Sequence, residues 1–236
     1  MPIKSSHSLL HHQEDHWIPL SDLMTGLMMF FMLLAVSYMI KVEADSLKVK
    51  QIVVLYDQLR IDLYNDLEKE FRFDLGKWGA EIDKDLTVRF KEPEVLFDTG
   101  SDALKTKFKV ILDDFFPRYV SVITSAKYKN SIQEIRIEGH TSSIWRVESS
   151  RDDAYFRNME LSQSRTRTTL QYVLSLSAVQ GERPWLRNLL TANGLSSSKL
   201  VADKNGQENV TRSQRVEFRV RTDAEAKIAT ILDVIR

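Results

Sequence analysis

One acid in this chain stands where an acid is expensive. Asp22 lies in Pro19-Leu20-Ser21-Asp22-Leu23-Met24-Thr25-Gly26, at the entry of a run that extends without a charge from Leu23 to Ile40. A carboxylate there is costly when ionised, so it must be protonated, ion-bound or paired inside a protein, and such acids mark ion pathways. On a helix Thr25, Gly26 and Met29 share its face, offering a hydroxyl and a small residue where another helix could approach. A second reading stands beside the first: an interfacial acid at a helix start, favoured by the positive end of the helix dipole. The methionines at 24, 28, 29, 32 and 39 read as lipid- and helix-facing bulk.

Other chemistry is thinly represented. The chain has no cysteine, which removes disulfides, thiol nucleophiles and sulfur-ligated zinc. No Ser-His-Asp spacing or glycine-rich phosphate loop stands out, and the Asp113-Asp114 pair reads as a solvated face, so neither an enzyme nor a catalytic residue is expected. His7, His11, His12 and His16 read as a polar tail and not as metal ligands. The 33 basic residues balance 33 acidic ones, which argues against a nucleic-acid partner.

The elements that would position these residues follow from periodicity. Counting back to Leu20, the apolar run is 21 residues long, close to the ~20 that span a hydrocarbon core as a helix. Its flank lacks the basic start and small-residue cleavage site of a secretory signal, which predicts an uncleaved anchor. Lys4 on one side faces Lys41, Lys48 and Lys50 on the other, so charge does not set its orientation. From Lys41 to about Phe73, apolar residues recur every three or four positions at Ile52, Leu55/Tyr56, Leu59, Leu63, Leu67 and Phe71. That pattern fits a short coiled coil pairing two copies of the chain, or a helix packed on its own domain. From Leu86 onward the chain reads as mixed helix and strand. Strands are expected at 86–90, 95–97, 132–138 and 215–221. Helices are expected at 101–127, with a break near Pro117, at 158–176, from Pro184, and at 223–235. The fold class is α+β, a short sheet covered by helices, preceded by a transmembrane helix and an amphipathic linker. The expected division is a tail at 1–16, a membrane helix at 17–40, a linker or dimerisation helix at 41–80 and a folded domain at 81–236.

Three ordered motifs in the second half carry a resemblance. Ile135-Arg136-Ile137-Glu138-Gly139-His140-Thr141, then Asn158-Met159-Glu160-Leu161-Ser162-Gln163-Ser164-Arg165, then Gln214-Arg215-Val216-Glu217-Phe218 resemble the OmpA-like peptidoglycan-binding domain. With a single N-terminal helix bearing an aspartate, the whole resembles the MotB family of stator subunits. The combination of Asp22-Leu23-Met24-Thr25, Gly-His-Thr-Ser-Ser at 139–143 and a short linker is similar to the MotB-like subunits of Zorya anti-phage defence systems.

The resemblance implies a single-pass bacterial inner-membrane subunit, N-terminus in the cytoplasm and C-terminal domain in the periplasm. It would belong to a proton-driven stator, with no cofactor and with sodium as the less favoured ion. Its partners would be a second copy of itself, a pentamer of the MotA-like ZorA subunit, the peptidoglycan stem peptide and, indirectly, cytoplasmic defence effectors. A flagellar MotB subunit or a passive wall anchor are the alternatives. Asp22, with Thr25, falls on the ion-carrying position. Arg165 matches the arginine that grips a stem-peptide carboxylate, a task suited to a planar guanidinium. Asn158, Leu161, His140, Thr141 and Ser142 belong to the same site, and Gly139 would end a strand in a tight turn that lets backbone approach the ligand. One departure stands out: Ser142 occupies a position where the family carries an aspartate that contacts the ligand's amino group. Glu148, Asp152 or Asp153 are the candidate substitutes.

Overall fold

A computed structural model of the chain describes residues 17–91, 93–146 and 149–223. The histidine-bearing tail, Glu148 and the helix expected after Asp223 lie outside them. The first helix, α1, covers Trp17–Phe71, and its residues divide between two compact units, Met1–Ile52 and Val53–Arg236. Each unit is described by itself.

In the first unit, Leu20–Leu47 forms 28 residues of helix with a mean hydropathy of 2.1 in its most apolar window and nothing buried within the structure. This exceeds the ~20 residues a membrane-crossing helix requires. The chain thus carries one described helix long and apolar enough to span a bilayer.

The second unit is built on a five-stranded sheet. In chain order come the short helix α2 (Leu75–Trp78), β1 (Ala80–Ile82), β2 (Thr87–Phe90), α3 (Pro93–Leu96) and α4 (Thr106–Ile123). Then follow β3 (Ile132–His140), α5 (Arg151–Ser175), α6 (Arg183–Leu189), β4 (Leu190–Gly194), α7 (Val210–Ser213) and β5 (Arg215–Thr222). The strand order is β1-β2-β5-β3-β4, antiparallel throughout except for the parallel β3–β4 pair.

Strand alternation sorts this sheet into two unlike faces. Val88, Phe90, Ile135, Ile137, Val216, Phe218 and Val220 are buried, and they join Phe71, Phe108, Leu112, Phe115 and Phe116 in one core. Phe218 lies 5.2 Å from Phe115 between ring centroids, and Phe71 lies 5.2 Å from Phe115. Burial of each such ring contributes about 2–3 kcal/mol, and the edge-to-face contacts add a fraction of that. The other face carries Arg89, Glu134, Arg136, Glu138, Arg215, Glu217, Arg219 and Arg221, paired both across and along strands. Arg89 meets Glu81 at 2.9 Å and Glu217 at 2.6 Å on neighbouring strands, while Arg136 meets Glu134 at 2.7 Å on its own.

Leu63, Leu67 and Phe71 are fully buried in this unit's own core, so the amphipathic stretch around them packs on its own domain, one of the two readings its pattern allowed. Other elements depart from the pattern read in the sequence. α4 begins at Thr106, because Phe97 and Leu104 first pair in an isolated bridge. It then runs unbroken through Pro117, where burial of Phe115, Phe116, Tyr119 and Val120 outweighs the ~3 kcal/mol that an interior proline costs. Most of the expected strand at 95–97 is instead the last half of α3. α5 begins seven residues earlier than the expected 158, because Ser150 caps it by accepting from the Asp153 amide, with Asp152 and Asp153 in its first turn. The strands at 80–82 and 190–194 were not foreseen, being too short or too polar to show alternation.

Candidate functional site

The site grows from the packing of α5 across the end of β3. Gly139 is a strand residue, not a turn residue as expected. A Cβ there would stand 2.7 Å from Thr166 Cγ2 and 3.0 Å from the Ser162 carbonyl, so its small size admits the helix, not a ligand. Gly194 on β4 is tighter still, since its Cβ would meet the Gln163 amide nitrogen at 2.3 Å. With α5 seated this closely, its inward side chains reach the loop that leaves β3. Thr141 continues the strand end by donating its amide to Ser196 O at 2.9 Å. Asn158 then holds the next turn, its Nδ2 donating to the carbonyls of Ser142 at 3.1 Å and Ile144 at 3.4 Å.

These residues line an open cleft of about 420 Å³. Thr141, Ser142, Trp145 and Arg146 come from the loop after β3, Asn158, Leu161 and Arg165 from α5, Thr99 and Gly100 from the loop after α3, and Gln214 from the start of β5. Of the residues singled out in the sequence, Thr141, Ser142, Asn158, Leu161 and Arg165 therefore share one cavity. Trp145, Arg146, Thr99 and Gly100 were missed, because they sit in loops without periodicity. Gln214 had one signal, its place at the head of the third motif.

Arg165 is the electrostatic centre of the cleft. It is 9% exposed, its Nε donates to Ser101 O at 2.8 Å and its Nη2 to Asp98 O at 3.0 Å, and its guanidinium stacks 4.8 Å from the Phe97 ring centroid. Neither partner is a carboxylate. Burial pushes its pKa down to about 10, and the more distant charge of Asp102 only partly opposes this. The two carbonyls use two of five N–H donors and fix the plane of the group, leaving the rest for an anion. Thr141 adds a hydroxyl that is buried and has no hydrogen-bond partner.

His140 does not line this cleft. Its side chain lies on the charged face of the sheet, with Nε2 3.4 Å from Glu217 Oε2 and 3.9 Å from Glu138 Oε2, and neither ring nitrogen has a hydrogen-bond partner. One atom from each of Glu138, His140 and Glu217 falls within 4.8 Å of the others, close enough to hold a metal ion. Four cations already surround the two carboxylates, however. Arg89 and Arg215 contact Glu217 at 2.6 and 2.7 Å, and Arg136 and Lys199 approach Glu138 at 3.8 and 3.9 Å. That compensation makes the cluster a set of ion pairs in which Arg89 ties β2 to β5, and it leaves little electrostatic drive for a divalent ion. Burial alone would raise the Glu217 pKa, but the approach of His140 at 3.4 Å and the hydrogen bonds from Arg89 and Arg215 outweigh it and hold the carboxyl far below the usual range.

Asp22 and Thr25 lie in the first unit, both exposed on the apolar helix. The Thr25 hydroxyl donates to Ser21 O at 2.8 Å, one turn back. Its oxygen keeps a lone pair on the face it shares with Asp22.

No family model matches the sequence. Among curated proteins, Zorya protein ZorB of Escherichia coli strain Crooks is 48% identical over 219 residues, covering 92% of each chain. Among solved structures, a MotB-like protein from Desulfovibrio vulgaris aligns with a TM-score of 0.50 at 25% identity, over 73% of this chain and 94% of its own. The OmpA-like domain of FopA1 from Francisella tularensis aligns with a TM-score of 0.38 at 16% identity, over 61% of this chain and 80% of its own. With nearly half its residues shared over almost its whole length, the chain belongs to the ZorB family of Zorya proteins.

Proposed function

We propose that this chain is the single-pass inner-membrane subunit of a proton-driven, stator-like complex that is anchored to peptidoglycan and acts in anti-phage defence. The N-terminus lies in the cytoplasm, residues 20–47 cross the membrane, and the C-terminal domain holds the wall in the periplasm. Two copies sit within a MotA-like ZorA pentamer. Asp22, assisted by the Thr25 oxygen, takes up a proton on one side and releases it on the other, each transfer changing its charge against the ring around it. The domain resists the resulting torque by binding a stem-peptide carboxylate at Arg165, with Thr141 and Ser142 at the edge of the cleft. Asn158 holds the loop that carries them, and Leu161 supplies an apolar wall. His140 supports the site from behind the sheet.

The observation that carries this reading is the joining, in one ZorB-family chain, of an acid at the head of an apolar helix with a cleft built around a buried arginine that has no carboxylate partner among the described residues. A passive anchor would have no use for Asp22. Asp22→Asn tests the ion role: defence against phage should be abolished while the complex still copurifies. Full protection by the Asp22→Asn variant would refute it.

A further inference from the structure

Among the described residues that line the cleft, Arg165 and Arg146 are the charged side chains and no carboxylate is present. Nearby acids have other partners. Both oxygens of Glu208 accept from Ser143, from its amide at 2.9 Å and from its hydroxyl. Asp153 pairs with Arg157 at 3.0 Å and Asp98 with Lys105 at 2.9 Å. Asp102 acts on Arg165 only through space. Ser142, the residue after the Gly-His-Thr motif, is buried, with its Oγ 3.4 Å from the Ile144 carbonyl. Of the three substitutes considered for a missing acid, Asp153 is therefore engaged elsewhere, Asp152 lies in the exposed first turn of α5, and Glu148 lies outside the described residues.

A free amino-acid end carries a carboxylate and an ammonium on one carbon. Seating its carboxylate on Arg165 brings the ammonium to roughly 6 Å from the guanidinium, where like charges repel unless an acid intervenes. Acylation of that amine removes the charge and leaves an amide N–H, which neutral oxygens such as the unpartnered Thr141 hydroxyl can accept. The added acyl chain is also matched by Ile144 and Trp145 at the cleft. We propose that the cleft selects a stem-peptide carboxylate whose neighbouring amine is acylated, as at a cross-link between two stems, over the free zwitterionic end. This selectivity rests on the wall-binding reading above and gives it a substrate class: load-bearing, cross-linked wall.

The test uses the purified full chain in detergent and two disaccharide-tetrapeptides that differ only in acetylation of the side-chain amine of diaminopimelate, with affinities measured by calorimetry. The acetylated ligand should bind about tenfold more tightly at low salt, and the gap should narrow as salt screens the repulsion. Equal affinity, or tighter binding of the free amine, would overturn the selectivity while leaving wall binding in place; the latter would show that an acid reaches the ligand. Failure of both ligands to bind, together with no retention on intact sacculi, would overturn the wall-binding reading and the selectivity with it.

Discussion

Replacing Arg165 by methionine separates a binding group from a structural brace. The guanidinium is held in a site that opposes its charge, and a shift from the ordinary 12.5 to about 10 corresponds to roughly 3 kcal/mol of penalty on the charged form. The sign follows from the lowered pKa of a base: the penalty is present at neutral pH and is relieved only as pH rises through about 10. Methionine is of similar length, apolar, and able to keep contact with Phe97. It loses the hydrogen bonds to Ser101 O and Asp98 O, worth about 1 kcal/mol each. The balance predicts that Arg165→Met changes the unfolding free energy by between 0 and about +2 kcal/mol, read by urea titration with tryptophan fluorescence. Retention on sacculi should fall at least tenfold in the same preparation. A loss of more than about 2 kcal/mol in stability would refute the reasoning, since Arg165 would then be a tie for the loop at 98–101 and its loss of binding would carry no functional meaning.

Two further perturbations test the frame around the site. Gly194→Ala places a Cβ 2.3 Å from the Gln163 amide nitrogen, a backbone atom that cannot swing aside, so a loss of 3 kcal/mol or more, or failure to accumulate folded protein, is expected; a wild-type urea midpoint would show that α5 can retreat from β4. Glu217→Gln removes a buried charge that Arg89 and Arg215 hold at 2.6 and 2.7 Å, at an expected cost of about 3 kcal/mol at pH 7. Because the folded-state pKa of Glu217 is depressed below its ordinary 4.5, that stabilisation is present above the ordinary value and is lost as pH falls through the folded one. The difference between wild type and Glu217→Gln should therefore shrink on acidification below about pH 4. A difference independent of pH would mean that the carboxylate charge is not what ties β2 to β5.

Strong, regular patterns were legible without the structure. The charged–apolar alternation of Arg215 to Arg221 became β5, Ile132 to Glu138 became most of β3, and Leu63, Leu67 and Phe71 announced a helix with one buried face. Patterns weaker than their surroundings were misread. Leu190 to Gly194 contains too little alternation to signal a strand, yet it pairs in parallel with Ile135 to Gly139 because the turn of α6 delivers it to the edge of the sheet. Arg151 to Arg157 fell outside the helix expected at 158–176, but the Ser150 cap and two acids in the first turn start α5 there. Gly139 and His140 were placed at the site by what their motif's resemblance implied, while the pleat sends the His140 side chain to the opposite face of the sheet from the helices.

What the sequence by itself determined is therefore what depends on local order: an apolar helix headed by Asp22, an amphipathic continuation, an α+β domain and an arginine at a recognisable spacing from Asn158. What only the tertiary structure decided is which groups meet and which are already partnered. Among the described residues no carboxylate pairs with Arg165, because the carbonyls of Asp98 and Ser101, on either side of Thr99–Gly100, fold over it, and Ser142 is sealed by Asn158, sixteen positions away. Spacing along a chain can place a residue on a helix face, but desolvation and pairing depend on neighbours that arrive from distant segments, and it is those that make one arginine of many a site for an anion.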